Sequence, residues 1–96
     1  KKTVQNKLSK KAQDLVNLEV KYGCLNYAPI PVVLSRGSGV HVWDVDGKKY
    51  IDCLSAYSAV NQGHNHPKIK AALLEQLDTL NITSRAFYND KLGPWT

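Results

Sequence analysis

Residues 31–52 read PVVLSRGSGVHVWDVDGKKYID, and this stretch decides the fold. Pro31 to Arg36 is apolar and β-branched at Val32 and Val33, which predicts a first strand. Arg36-Gly37-Ser38-Gly39 carries turn residues. Val40 and Val42 then alternate with His41 and Trp43, the period of a half-buried second strand. Asp46-Gly47 is a two-residue hairpin signal, and Lys48 to Asp52 reads as a third strand. The prediction is a three-stranded antiparallel meander.

Upstream, Asn26 to Pro31 contains Pro29 and Pro31. Two prolines so close fix φ and exclude helix, so this segment is an extended connector. Before it, Leu8, Ala12, Leu15 and Val16 fall on one helical stripe, which predicts a helix from about Leu8 to Tyr22. Gly23 is expected to stop it through a positive φ. Downstream, Cys53 to Gln62 is rich in small and apolar residues without helical or strand period. A loop with so little charge either packs under something or lines a site. Pro67 suits a first helical position, and Ile69, Ala72, Leu73, Leu77 and Leu80 make the stripe of a second helix. Asn81 to Thr96 has no clear period.

The 96 residues make at most one small domain. Formal charge is +5, but Lys1, Lys2, Lys7, Lys10 and Lys11 carry it. From residue 12 onward basic and acidic residues balance, so a basic tail precedes a neutral body. A solvated helix face explains the tail better than a nucleic-acid contact, since no aromatic interleaving or reader motif accompanies it. No apolar run is long enough to span a membrane. Cys24 and Cys53 are too few for a disulfide framework, which leads us to expect buried or half-buried thiols in a reducing compartment. Methionine is absent and the apolar content sits largely in loops, so the chain is expected to be the opening portion of a longer protein.

Chemistry-bearing motifs are sparse. His64 and His66 lack a third ligand at metal-binding spacing and are read as loop-anchoring and helix-start residues. Gly37-Ser38-Gly39 lacks the lysine and the following helix of a phosphate loop. Asn81-Ile82-Thr83 matches the glycosylation sequon, with nothing else to suggest secretion. Tyr27 and Tyr57 are polar aromatics in low-charge, non-repetitive segments. They could serve a small-molecule pocket or simply pack half-buried.

Several blocks resemble a known family. Asn26-Tyr27, Val42 to Tyr50, the run Ser55-Ala56-Tyr57-Ser58-Ala59-Val60-Asn61-Gln62-Gly63-His64, His66-Pro67 and Ser84-Arg85-Ala86-Phe87-Tyr88-Asn89 are similar to the N-terminal region of the ornithine aminotransferases, class III pyridoxal-phosphate enzymes. The meander and Gly63-His64-Asn65-His66-Pro67 point to the class. The Tyr57 run and the Ser84 to Asn89 block are more specific to the ornithine branch. The resemblance implies an α/β fold, the N-terminal part of a fold type I PLP-dependent transferase. It implies residues 1–22 as a basic segment and helix, 23–62 as meander and pocket loop of the small domain, and 63–96 as a helix and connector towards a large cofactor domain. It further implies transfer of the δ-amino group of ornithine to 2-oxoglutarate, pyridoxal 5'-phosphate bound mainly outside these residues, and a homo-oligomer, dimeric at least. Neither nucleic acid nor membrane is an expected partner.

Residue by residue, Tyr27 matches the family tyrosine that helps bind the substrate α-carboxylate, and Tyr57 the one that shapes the pocket for ornithine. No lysine here sits in the family's Schiff-base motif, so no catalytic, cofactor-binding or metal residue is assigned and the 96 residues alone are expected to be inactive. The family's animal members suggest the mitochondrial matrix, with the cytoplasm as the alternative. Acetylornithine and 4-aminobutyrate enzymes of the same class, and a non-catalytic truncated product, remain alternatives.

Overall fold

A computed structural model describes residues 7–96. Lys1 and Lys2 of the basic cluster lie outside the described residues. The chain divides into two compact units, Lys1–His66 and Pro67–Thr96.

The first unit opens with α1, Lys10–Tyr22. Ser9 caps it: its extended backbone leaves the side chain free to accept from the Ala12 N–H at 3.1 Å. The same hydroxyl donates to Asp46 Oδ1 at 2.9 Å, and Lys11 Nζ donates to the Val45 carbonyl at 3.1 Å. The helix start is thereby fastened to a turn of the sheet. Ala12, on the predicted stripe, is 2% exposed. Gly23 ends the helix, its N–H reaching the Glu19 carbonyl at 2.7 Å. It does so with φ −86°, an extended conformation, and not with the expected positive φ. Lys7, Lys10 and Lys11 are exposed, with Lys10 paired to Asp14 at 2.6 Å.

Three antiparallel strands follow in the order β1-β2-β3: Leu34–Ser38, His41–Asp44 and Lys49–Ile51. The meander is as predicted, but its register differs in two places. β1 begins later and runs through Gly37 and Ser38, which pair with Val42 and His41. A register shift between Leu34 and Arg36 places Ser35 out of the ladder, its hydroxyl donating to the Asp44 carbonyl at 3.2 Å. The first turn shrinks to Gly39-Val40 as a result. The second turn is a four-residue loop, Val45 to Lys48, and not the two-residue Asp46-Gly47 hairpin. Asp44 Oδ1 accepts the N–H groups of Asp46 and Lys48 at 3.0 and 2.9 Å, closing an Asx-type turn.

Val42, in the central strand, is 7% exposed. Trp43 sits across from both Arg36 and Lys49 in the ladder, and their cations lie 3.8 and 5.6 Å from its ring centroid. Tyr50 donates to Asp44 Oδ2 at 2.8 Å. Desolvation pushes the Asp44 carboxyl up, but that hydroxyl and the two turn N–H groups outweigh it and hold the group below its ordinary value.

After β3 the chain makes one short turn, α2, Ser55–Ser58. It is left-handed: φ is +52° at Ser55, +49° at Ala56, +56° at Tyr57 and +69° at Ser58. None of the four is glycine. The chain then returns to the hairpin tip. Gly39 and His64 form an isolated antiparallel bridge, with N–H···O distances of 2.8 and 3.0 Å.

The second unit holds α3, Pro67–Leu77, and a four-residue helical turn, α4, Leu92–Trp95, whose first N–H groups are capped by Asn89 Oδ1. α3 buries none of its residues: Ile69, Leu73 and Leu77 are each about half exposed. Ala12 and Val42 are the buried hydrophobic residues among those described. An apolar stripe gains stability only when it is covered, so neither unit has the core of an independent globule.

Candidate functional site

Tyr27 and Tyr57 are 30 residues apart in sequence, yet their hydroxyl oxygens are 2.6 Å apart. Tyr27 stands on the extended connector, where Pro29 and Pro31 keep the backbone from turning back into helix. Tyr57 stands on the left-handed turn. A left-handed residue directs its side chain where a right-handed one cannot, and four in succession carry this ring across to the connector. The rings themselves are open to solvent, Tyr27 being 73% and Tyr57 75% exposed. Tyr27 also borders an open groove of about 440 Å³ with Val20, Leu25 and Ile30.

Two phenols in contact share one proton asymmetrically. One hydroxyl donates to the other, and the accepting oxygen keeps its own hydrogen for an outside acceptor. A hydroxyl that already accepts is a stronger donor. The hydrogen bond with Tyr27, and then partial burial, push the Tyr57 phenol above its ordinary value, so it stays neutral. The arrangement is suited to an anionic oxygen such as a carboxylate.

The base of the turn is held by Asp52. Its Oδ1 accepts the N–H groups of Leu54 and Ser55, both at 3.0 Å, and its Oδ2 faces His64 Nε2 at 2.6 Å. The Ser55 N–H first, then the imidazole and the Leu54 N–H, hold the Asp52 carboxyl below its ordinary value. A depressed carboxyl contributes stability above its unfolded pKa, about 3.9, and loses it as pH falls through the lower folded value. Urea midpoints of the full-length enzyme should therefore lie above those of its Asp52→Asn variant at neutral pH. The difference should shrink as the pH is taken below about 4.

His64 thus anchors its loop, as the sequence suggested. Asp52 was missed. The signal for it was local, an acid two residues before a loop whose N–H groups need acceptors. Cys24 and Cys53 are exposed free thiols, against the expectation of burial, because the apolar neighbours of both segments are themselves uncovered. Among the described residues no three His, Cys, Asp or Glu side chains gather as a metal site would require. No helix among them is long and apolar enough to cross a membrane.

With this geometry in hand, the family follows. Residues 22–96 match the aminotransferase class-III family, and the chain belongs to it. Its fold is that of the N-terminal part of a fold type I PLP-dependent transferase. The chain is 59% identical over 85 residues to the ornithine aminotransferase of a Geobacillus strain, covering 88% of this chain and 21% of that protein. To the mitochondrial ornithine aminotransferase of Drosophila ananassae it is 66% identical over 77 residues, covering 80% and 18%. Among solved structures, the acetylornithine aminotransferase of Elizabethkingia anophelis superposes with TM-score 0.84 at 63% identity, covering 91% of this chain and 22% of that one. The chain therefore spans about a fifth of the length of the relatives it matches.

The class implies pyridoxal 5'-phosphate, whose aldehyde takes up a lysine amine. Every lysine among the described residues is exposed; Lys10 is engaged with Asp14, Lys11 with the Val45 carbonyl and Lys91 with Asp90. The described residues do not by themselves fit as the cofactor's holder.

Proposed function

We propose that these residues form part of the donor pocket of an ornithine δ-aminotransferase. The enzyme moves the δ-amino group of ornithine to 2-oxoglutarate, giving glutamate semialdehyde, which cyclises, and glutamate. The observation that carries the reading is the Tyr27–Tyr57 hydroxyl pair at 2.6 Å. Ornithine has two amines and one carboxylate. An enzyme that reacts only at the distal amine must hold the carboxylate at the far end of the pocket. The paired phenols leave one O–H free, a hydrogen-bond donor suited to that carboxylate. Tyr57, the more constrained of the two, sets the pocket's length.

The Schiff-base lysine and most cofactor contacts are proposed to lie in the rest of the enzyme, so the 96 residues alone are inactive. When bound, the cofactor supplies the electron sink that transamination needs. The active unit is proposed to be a homodimer at least, without nucleic-acid or membrane partners. The mitochondrial matrix is the proposed compartment, with the cytoplasm as the alternative; the name of the Drosophila relative gives it as mitochondrial.

A second reading is favoured by the acetylornithine aminotransferase from Elizabethkingia, 63% identical over the matched segment. A donor panel on the full-length enzyme separates the two. With 2-oxoglutarate as acceptor, ornithine should give the highest kcat/KM, ahead of N-acetylornithine and 4-aminobutyrate. A higher value for N-acetylornithine would replace the proposed substrate.

A further inference from the structure

Four consecutive non-glycine residues with positive φ are unusual, because each costs about 1 to 2 kcal/mol relative to right-handed backbone. Something must hold Ser55–Ser58 in that form. On the entry side, the Asp52 N–H donates to the Val40 carbonyl at 2.9 Å, and the Asp52 carboxylate takes up the Leu54 and Ser55 N–H groups. On the exit side, His64 bridges to Gly39, and Asn65 Nδ2 donates to the Gly37 carbonyl at 2.8 Å. Both ends are therefore tied to the same hairpin tip. Among the described residues, the side-chain link joining one end to the other is the hydrogen-bonded contact between Asp52 Oδ2 and His64 Nε2 at 2.6 Å. Their side chains are 17% and 26% exposed, far less than the two tyrosine rings, so this pair is less screened than a surface one.

We propose that Asp52 and His64 are positioning residues for donor selection: their side-chain contact closes the loop around the left-handed turn and keeps the Tyr57 hydroxyl on that of Tyr27. The proposal rests on the donor-pocket reading given above. Without the contact, the exit of the turn keeps its ties to the hairpin through the Gly39–His64 bridge and the Asn65 amide, but no side chain joins it to the entry, and Ser55–Ser58 can relax towards right-handed backbone. Tyr57 then leaves Tyr27, and the carboxylate loses the donor that the pair orients while the reacting amine is untouched. Neither residue contacts the substrate in this scheme.

The test uses the full-length enzyme and two donors of the same length, ornithine and 1,4-diaminobutane, which lacks the carboxylate. The readout is the ratio of their kcat/KM values. A merely structural defect lowers both donors equally and cancels in the ratio. His64→Ala should lower the ornithine preference about tenfold or more, the weight of one charge-assisted hydrogen bond. His64→Gln, whose amide can still donate to Asp52 Oδ2, should restore it to within about twofold of wild type. Asp52→Asn approaches the same contact from the other side and should lower it as well. In the Tyr57→Phe background, His64→Ala should add little.

An unchanged ratio in both His64→Ala and Asp52→Asn, with Tyr57→Phe lowering it, overturns the proposal and leaves the donor-pocket reading standing. Equal losses in His64→Gln and His64→Ala also overturn it. Unchanged ratios in Tyr27→Phe and Tyr57→Phe remove the donor-pocket reading itself, and the proposal with it.

Discussion

Replacing Tyr57 with isoleucine is expected to lower the preference of the full-length enzyme for ornithine over 1,4-diaminobutane by about tenfold to a hundredfold. The magnitude follows from what is lost. A hydrogen bond to a charged group contributes about 1.5 to 3 kcal/mol, and each 1.4 kcal/mol is about a factor of ten. Isoleucine removes the Tyr57 hydroxyl and also the partner that orients Tyr27 at 2.6 Å. The loss should appear as a rise in KM for ornithine with little change for the diamine, because the diamine never used the contact. Donors that gain from a shorter, more apolar wall should improve in relative terms. A site built around a hydrogen bond rejects analogues that lack the matching group, and removing the bond removes the rejection. Equal kcat/KM losses for both donors would show that Tyr57 supports the fold without selecting the substrate.

Gly63→Val is expected to cost roughly 3 kcal/mol of stability. Two constraints act together there. Gly63 has φ +90°, which a β-branched residue adopts only under strain. A Cβ would also lie 3.1 Å from Gly39 Cα and 3.2 Å from its carbonyl oxygen, both rigid backbone atoms. The bridge between Gly39 and His64 would have to open. Gly37→Ala probes the other face of the same joint, since its Cβ would stand 2.8 Å from His64 Cγ. Urea unfolding of the full-length enzyme should show a lower midpoint for both, with Gly63→Val the more severe. If His64 is displaced in Gly37→Ala, the ornithine preference should fall along with the midpoint.

The parts of the fold that were legible in the sequence are those decided by neighbours. The α1 stripe, Pro67 at the head of α3 and the alternation through Val42 all rest on contacts within a few residues. Errors entered where a side chain competes with the backbone. Ser35 steps out of the β1 ladder and Asp44 closes its own turn, and each shifts an element boundary by a few residues. The left-handed turn was not legible, because Ser55-Ala56-Tyr57-Ser58 carries none of the glycine or asparagine that normally marks positive φ. Its cause is non-local: Asp52 at one end, and at the other His64 bonded to a hairpin tip 25 positions earlier in the chain. The pairing of Tyr27 with Tyr57 was equally out of reach of periodicity or spacing. The resemblance to ornithine aminotransferases singled out both residues, but the contact between them emerges only in three dimensions.

Exposure explains a further difference. Leu15, Leu18, Ile69 and Leu73 have the spacing of core residues, yet each is more than 40% exposed. Binary patterning says which face of a helix is to be covered and not what covers it. The chain spans about a fifth of the length of its relatives, and nothing within the described residues covers these faces.

The most direct measurement is a crystal structure of the full-length enzyme with a non-reacting ornithine analogue bound. Its α-carboxylate is expected within about 3 Å of one hydroxyl oxygen of the Tyr27–Tyr57 pair, with the distal nitrogen pointing to the cofactor. A carboxylate held elsewhere, with both phenols turned away from the analogue, would contradict it.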